Sequence, residues 1–221
     1  MGIKRTLVAL KKKDVGAIGI GAMIVFISMV LVAGIAASVL IQTSGRLETQ
    51  AMRSGSETVS EVATGIRVEC VFGYNKTGQG NISRLAVEVG PRAGSKGIDL
   101  SQTVVELSDS NTKNVFTYNS GNFTPTESID GDIFRWNFYP WSNGTVFGII
   151  VLEDADGSVT ALNPVINSGD HVILTINVTT AFGGFDSSVD VSGQVIPEEG
   201  SPGVIAFTTP AAYSNPVVEL Q

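Results

Sequence analysis

The sequence predicts an α+β protein: one long hydrophobic helix at the N-terminus, followed by an all-β sandwich or barrel-like, immunoglobulin-like domain. Three observations lead there. No charged residue stands between Asp14 and Arg46. Beyond residue 66 the chain breaks into short apolar segments, several of them strictly alternating. Asn-Gly, Asp-Gly, Ser-Gly and Gly-Gly pairs separate those segments, which is the chemistry of tight turns. The expected divisions are a basic leader over 1–16, the hydrophobic helix over 17–65 and the β-domain over 66–221.

The leader carries Lys4, Arg5, Lys11, Lys12 and Lys13 against a single acid, Asp14. Basic residues ahead of an apolar helix hold that end in the cytoplasm, which sends the rest of the chain outside. The remainder has nine basic and twenty acidic residues. A surface that acidic repels nucleic acid, so no nucleic-acid partner is expected. It keeps an exported domain soluble, or it attracts cations.

Residues 17–41, AIGIGAMIVFISMVLVAGIAASVLI, are apolar on every face of a helix, so no side is suited to water. At about 1.5 Å per residue the stretch can cross a hydrocarbon core of about 30 Å. It holds fifteen large apolar side chains. At about 1.5–3 kcal/mol each, leaving them wet costs tens of kcal/mol. The segment belongs in lipid or inside an assembly. Ala33 and Ala37, and Gly34 and Ser38, stand four apart. Such pairs let helix backbones approach closely, and ordinary membrane helices carry them too. After residue 41 the pattern becomes amphipathic, with Leu47, Ala51, Val59, Val62 and Ile66 on one face. One helix is expected from about residue 17 to about residue 64, its later stripe laid on the domain that follows. Gly45 and Gly55 weaken it by about 1 kcal/mol each.

The β-segments are expected at 66–74, 85–89, 98–107, 114–119, 132–139, 145–153, 171–179, 189–196 and 203–209. No second helix is expected. In the first segment Ile66, Val68, Cys70 and Phe72 alternate with Arg67 and Glu69, which places Cys70 as a small buried hydrophobe. Cys70 is the only cysteine and His171 the only histidine. An intrachain disulfide is therefore excluded, and a catalytic triad would have to use His171, which reads as a strand-edge residue. No GxSxG, HExxH, CxxC or P-loop occurs. The expectation is a protein that is not an enzyme and needs no cofactor.

Two features of the β half look chemical. Asp154-Ala155-Asp156-Gly157 resembles the opening of a calcium loop but lacks the later bidentate Glu, so it reads first as a plain β-turn and only second as a cation loop. Asp154 and Asp156 are the candidates for a structural cation, with Asp130-Gly131-Asp132 a weaker place to look. Asn75, Asn81, Asn122, Asn143 and Asn177 each open an N-x-S/T sequon, an excess over the roughly two expected by chance. Pro125 follows the sequon at Asn122, and Asn177 falls within an expected strand.

The sequence KKKDVGAIGIGAMIVFISMVLVAGIAASVLIQTSG resembles the N-terminus of the archaeal flagellins, or archaellins, and VSGQVIPEEGSPGVIAFTTP with the closing VVELQ is similar to the end of that family. Together the two ends cover about a third of the chain. The resemblance implies a leader of the class III signal-peptide type. A prepilin-peptidase-like enzyme would cut it on the cytoplasmic side after Gly16, making Ala17 the first mature residue. It implies a membrane-resident precursor whose helix then joins copies of itself in a filament core, the β-domain facing outward and bearing N-glycans. It implies an extracellular archaellum filament, assembled and turned for swimming by a motor platform. The family usually places basic residues directly before the glycine, whereas Asp14 and Val15 intervene here. Type IV pilins generally carry Glu at the fifth mature position, where this chain has Gly21, which favours the archaellin reading. The alternatives are an adhesive pilus subunit with the same leader and helix, and a signal-anchored extracellular β-domain.

Overall fold

The computed structural model describes residues 3–76, 80–128, 131–134 and 144–221, with side chains at Gly16 and from residue 18 onward. The first element, α1 (Ile3–Ala63), is a single helix of 61 residues. Nothing in this stretch supplies a reason to stop. It has no proline, and its glycines are single and spaced, each costing about 1 kcal/mol against alanine rather than breaking the helix. The leader is therefore helical as well, and the helix starts earlier than the expected residue 17. Within Ile18–Ala63 an 18-residue window reaches a mean hydropathy of 2.8, long and apolar enough to cross a membrane.

The chain divides into two units, Met1–Ser56 and Glu57–Gln221. In the first, every large apolar side chain from Ile18 to Ile41 is between 52% and 72% exposed, because a lone helix cannot bury its own surface. Its hydroxyls are treated differently. Ser28 donates to the Ile24 carbonyl at 2.8 Å, and Thr43 to those of Val39 at 2.8 Å and Leu40 at 3.0 Å. These bonds let polar atoms sit in an apolar environment without loss.

In the second unit Val59 and Val62 end α1 at 69% and 76% exposure. The expected packing of that stripe on the following domain is thus corrected at these residues. Ile66, the last residue of that stripe, is the one the β-domain buries.

The β-domain comprises β1 (Ile66–Asn75), β2 (Ile82–Pro91), β3 (Ile98–Asp99), β4 (Val104–Asp109), β5 (Thr112–Thr124), β6 (Val146–Glu153), β7 (Val165–Ile166), β8 (His171–Asn177), β9 (Asp190–Ile196), β10 (Gly203–Thr208) and β11 (Val217–Glu219). A five-residue helix, α2 (Val178–Phe182), follows β8. Nine strands form one sheet in the order β10-β9-β4-β5-β6-β8-β2-β1-β11, and β3 pairs with β7. Among the pairings of these named strands only β5 and β6 run parallel, and an isolated parallel bridge joins Gly65 to Ser201. The sheet curls until β10 returns to β1. Ile66 donates to the Ser201 carbonyl at 3.1 Å, Ser201 donates to that of Thr64 at 2.9 Å, and the bare Gly203 sits against Ile66 and Val68. The barrel-like form of the expected fold is the one adopted.

The curl wraps a core that includes Phe116, Phe147, Phe185, Leu85, Leu107 and Leu174, all nearly or fully buried. A smaller cluster of Ala86, Phe134, Ile150 and Ile173 covers part of the other face, with Phe72 and Tyr74 against it. The stacked rings of Tyr74 and Phe134 lie 5.3 Å apart.

The register of β1 corrects one expectation. A bulge falls between Val68 and Cys70 in the pairing with β2. Ile66 and Val68 belong to the main core, but beyond the bulge it is Val71 that enters it, while Phe72 and Tyr74 join the outer cluster. One inserted residue exchanges the two faces of a strand. Cys70 is accordingly half-buried rather than a core side chain. The expected strand at 98–107 is split, because Asp99 accepts from Ser101 N–H at 2.8 Å and its carbonyl from the Thr103 hydroxyl at 3.1 Å, which makes a turn. Of the expected strand at 132–139, Ile133 and Phe134 lie in a turn, and 135–139 lie outside the described residues.

Candidate functional site

The candidate assembly surface is the first unit of α1. Ala33, Gly34, Ala37 and Ser38 are all exposed, and a Cβ built at Gly34 meets nothing within 4 Å. These small residues therefore do no packing within the subunit. What they leave is a shallow stripe along a rod that is otherwise covered in bulky apolar groups, a geometry that admits another helix closely. The processing pair sits higher on the same helix. Gly16 is exposed, with open space around it; at Ala17 only the backbone is described, and it is helical.

The candidate cation site is better built than the sequence suggests. Asp154 Oδ1 accepts from the Gly157 and Ser158 amides at 2.8 and 3.2 Å, and its Oδ2 from Val159 at 3.1 Å. Asp156 accepts from the Ser158 amide at 3.0 Å and from Asn167 Nδ2 at 2.7 Å. Bonds from Ser158 and Asn167 hold the Asp156 carboxyl below its usual range. A third acid joins them: Asp170, only 1% exposed, accepts from the Asn167 amide at 2.8 Å. One carboxylate oxygen from each of Asp154, Asp156 and Asp170 lies within 4.8 Å of the others. Three hard oxygens suit Ca²⁺ or Mg²⁺. The same bonds also make a complete loop without an ion. Sequence reasoning missed Asp170 because it stands fourteen residues beyond Asp156, behind a separate turn. Asp132 accepts from the Phe134 amide at 3.0 Å, and Asp130 lies outside the described residues.

The sequons fare unequally. Asn75 is only 6% exposed, with its Oδ1 enclosed and unbonded. Asn122 is half-buried, with its Nδ2 enclosed and unbonded. Asn177 closes β8 and caps α2, its side chain accepting from the Thr180 amide at 3.1 Å. Asn81 is half-buried beside Gly184. Asn143 lies outside the described residues.

Known proteins resemble this chain along most of its length. A family model described as archaeal-type flagellin matches residues 16–207. Flagellin B2 of Methanocaldococcus jannaschii is 45% identical over 209 residues, covering 93% of this chain and 95% of that protein. Flagellin B3 of Thermococcus kodakarensis is 38% identical over 257 residues, covering 96% of this chain and 99% of the relative. The crystal structure of archaeal flagellin FlaB1 from M. jannaschii superposes with a TM-score of 0.65 at 36% identity, covering 72% of this chain and 98% of that one. The archaeal flagellum of Methanospirillum hungatei shares the fold at a TM-score of 0.61 and 18% identity, over 90% of this chain and 98% of the other.

Proposed function

Since this chain belongs to the archaeal-type flagellins, we propose that it works by exchanging one dry environment for another: lipid around a stored precursor, then identical helices around an assembled subunit. It is a structural subunit of an extracellular filament. The observation that carries the proposal is the rod from Ile18 to Ile41, none of whose fifteen large apolar side chains is less than 52% exposed. At about 1.5–3 kcal/mol each, the rod cannot stand in water. Bundling with copies keeps it dry without any change of fold. Catalysis has no part in this reading.

The leader must go before assembly. Lys4, Arg5 and Lys11 to Lys13 would bring five cations toward an apolar core with only Asp14 set against them, and burying an unpaired charge is prohibitive. A membrane-bound peptidase of the prepilin type, cutting after Gly16, would remove them all and expose Ala17. The family match begins at residue 16, which supports that boundary. The motor platform then acts as the partner that draws the precursor from the membrane. Outside, the acidic β-domain faces water. Its Asp154, Asp156 and Asp170 are the place for a hard divalent cation, and Asn81 is the described sequon whose amide the fold neither encloses nor spends on a cap.

N-terminal sequencing of isolated filaments tests the processing step. A start at Ala17 is expected; filaments starting at Met1 would overturn it. Attachment assays separate this from an adhesive pilus. A cell lacking the chain is expected to lose swimming, and one that swims normally but fails to attach would favour the adhesive reading.

A further inference from the structure

A second cluster of ligating side chains lies away from the Asp154 loop. Glu69 of β1, Glu88 of β2 and His171 at the start of β8 each bring one ligand atom within 4.8 Å of the other two. They come from three neighbouring strands, far apart in sequence.

Three features of the backbone build the cluster. The β1 bulge falls between Val68 and Cys70, so Glu69 is the inserted residue and its carboxylate is re-aimed. A second bulge, between Val151 and Glu153 of β6, lies where that strand meets His171. Between Glu69 and His171 stands Gly90, whose missing side chain leaves the room. A Cβ there would sit 3.2 Å from Glu69 Oε1 and 3.7 Å from His171 Cε1.

The histidine is poised and unspent. Its Nδ1 is enclosed and makes no hydrogen bond. It points toward Glu69 Oε1 at 3.7 Å, too long for a hydrogen bond. Arg67 holds Glu69 through an ion pair at its guanidinium, with 59% of the Arg67 side chain exposed.

We propose that Glu69, Glu88 and His171 form a site for a divalent transition-metal ion of the zinc type, clamping β1, β2 and β8 together. One imidazole nitrogen and two carboxylate oxygens are a donor set that zinc accepts, with a fourth position left to water. It differs from the all-oxygen set of Asp154, Asp156 and Asp170, which suits calcium or magnesium. A dication balances the two glutamates, and Arg67, being largely exposed, swings outward as the ion takes its place.

The test is zinc binding to the full chain in detergent micelles, measured by titration calorimetry. Thermal melting is followed by circular dichroism with and without zinc, and cobalt serves as a spectroscopic substitute. One zinc per chain, with a raised melting temperature, is expected. His171→Gln should weaken binding by about tenfold or more, and Asp156→Asn should leave it unchanged. Arg67→Gln should tighten it, an effect a merely structural histidine would not produce. Cobalt should give the visible bands of a low-coordinate nitrogen–oxygen site. If His171→Gln fails to melt cooperatively without metal, Glu88→Gln takes its place. Absence of zinc binding, or binding unaltered by the substitution at His171 or Glu88, overturns the proposal. So does binding abolished by Asp156→Asn alone.

Discussion

Gly34 and Gly200 are the same residue put to opposite uses. At Gly34 a side chain would meet nothing within 4 Å. Leucine there raises helix propensity by close to 1 kcal/mol, so the lone subunit should gain, if anything. Gly34→Leu is therefore expected to leave membrane insertion intact and to abolish or shorten filaments, as seen by electron microscopy. Filaments of normal length would remove the close-packing claim. At Gly200 the backbone has φ of 97°, and an added Cβ would collide with the Thr64 carbonyl, where the chain leaves α1. Gly200→Ala is expected to cost roughly 1–3 kcal/mol, read as a lower melting temperature of the β-domain.

The carboxylates set a pH dependence at the same scale. Bonds from Lys113 and Gln194 hold Glu106 low. At Asp109 burial pushes upward, but the amide and hydroxyl of Thr112 and the Asn111 amide outweigh it. Asp156 is low as well, through Ser158 and Asn167. Each group is more acidic folded than unfolded. Its stabilisation is fully present above the unfolded value, near pH 4, and is lost as pH falls through the lower folded one. The melting temperature should be flat near neutrality with respect to these groups and fall below about pH 4. A rise on acidification would contradict the assignment.

Among the elements, α2 shows what a short sequence signal hides. The run from His171 through Thr179 reads as one strand, yet it ends at Asn177, whose side chain caps a five-residue helix closed by Gly183 at φ of 84°. Asn177→Ala should cost about 1 kcal/mol, through the cap. Unchanged stability by denaturant titration would show that the cap is idle. The hydrophobic period made the long elements legible: the apolar rod, and strands such as Val146–Glu153 with its unbroken VFGIIVLE. It could not show β7 or β11, two and three residues long, which exist only because partners lie opposite. Nor could it show the β1 bulge, since alternation in a sequence carries no mark of an inserted residue. That miss had consequences for the sites. Glu69, Glu88 and His171 lie on three separate strands, and Asp170 meets Asp154 only after an intervening turn, so neither grouping exists until the sheet closes.

For the whole molecule the decisive fact is the separation of charge from grease. Five cations precede the rod, and twenty of the twenty-one acids follow it. Between them lies a helix whose large apolar side chains are more than half exposed. In the proposed function a subunit built this way has two stable addresses, lipid and filament, and none in bulk water. The direct measurement is sedimentation velocity of the processed chain, starting at Ala17, after detergent is withdrawn. The account predicts that no monomer persists and that the material sediments as long polymer. A monodisperse, water-soluble monomer with its helix intact by circular dichroism would contradict it.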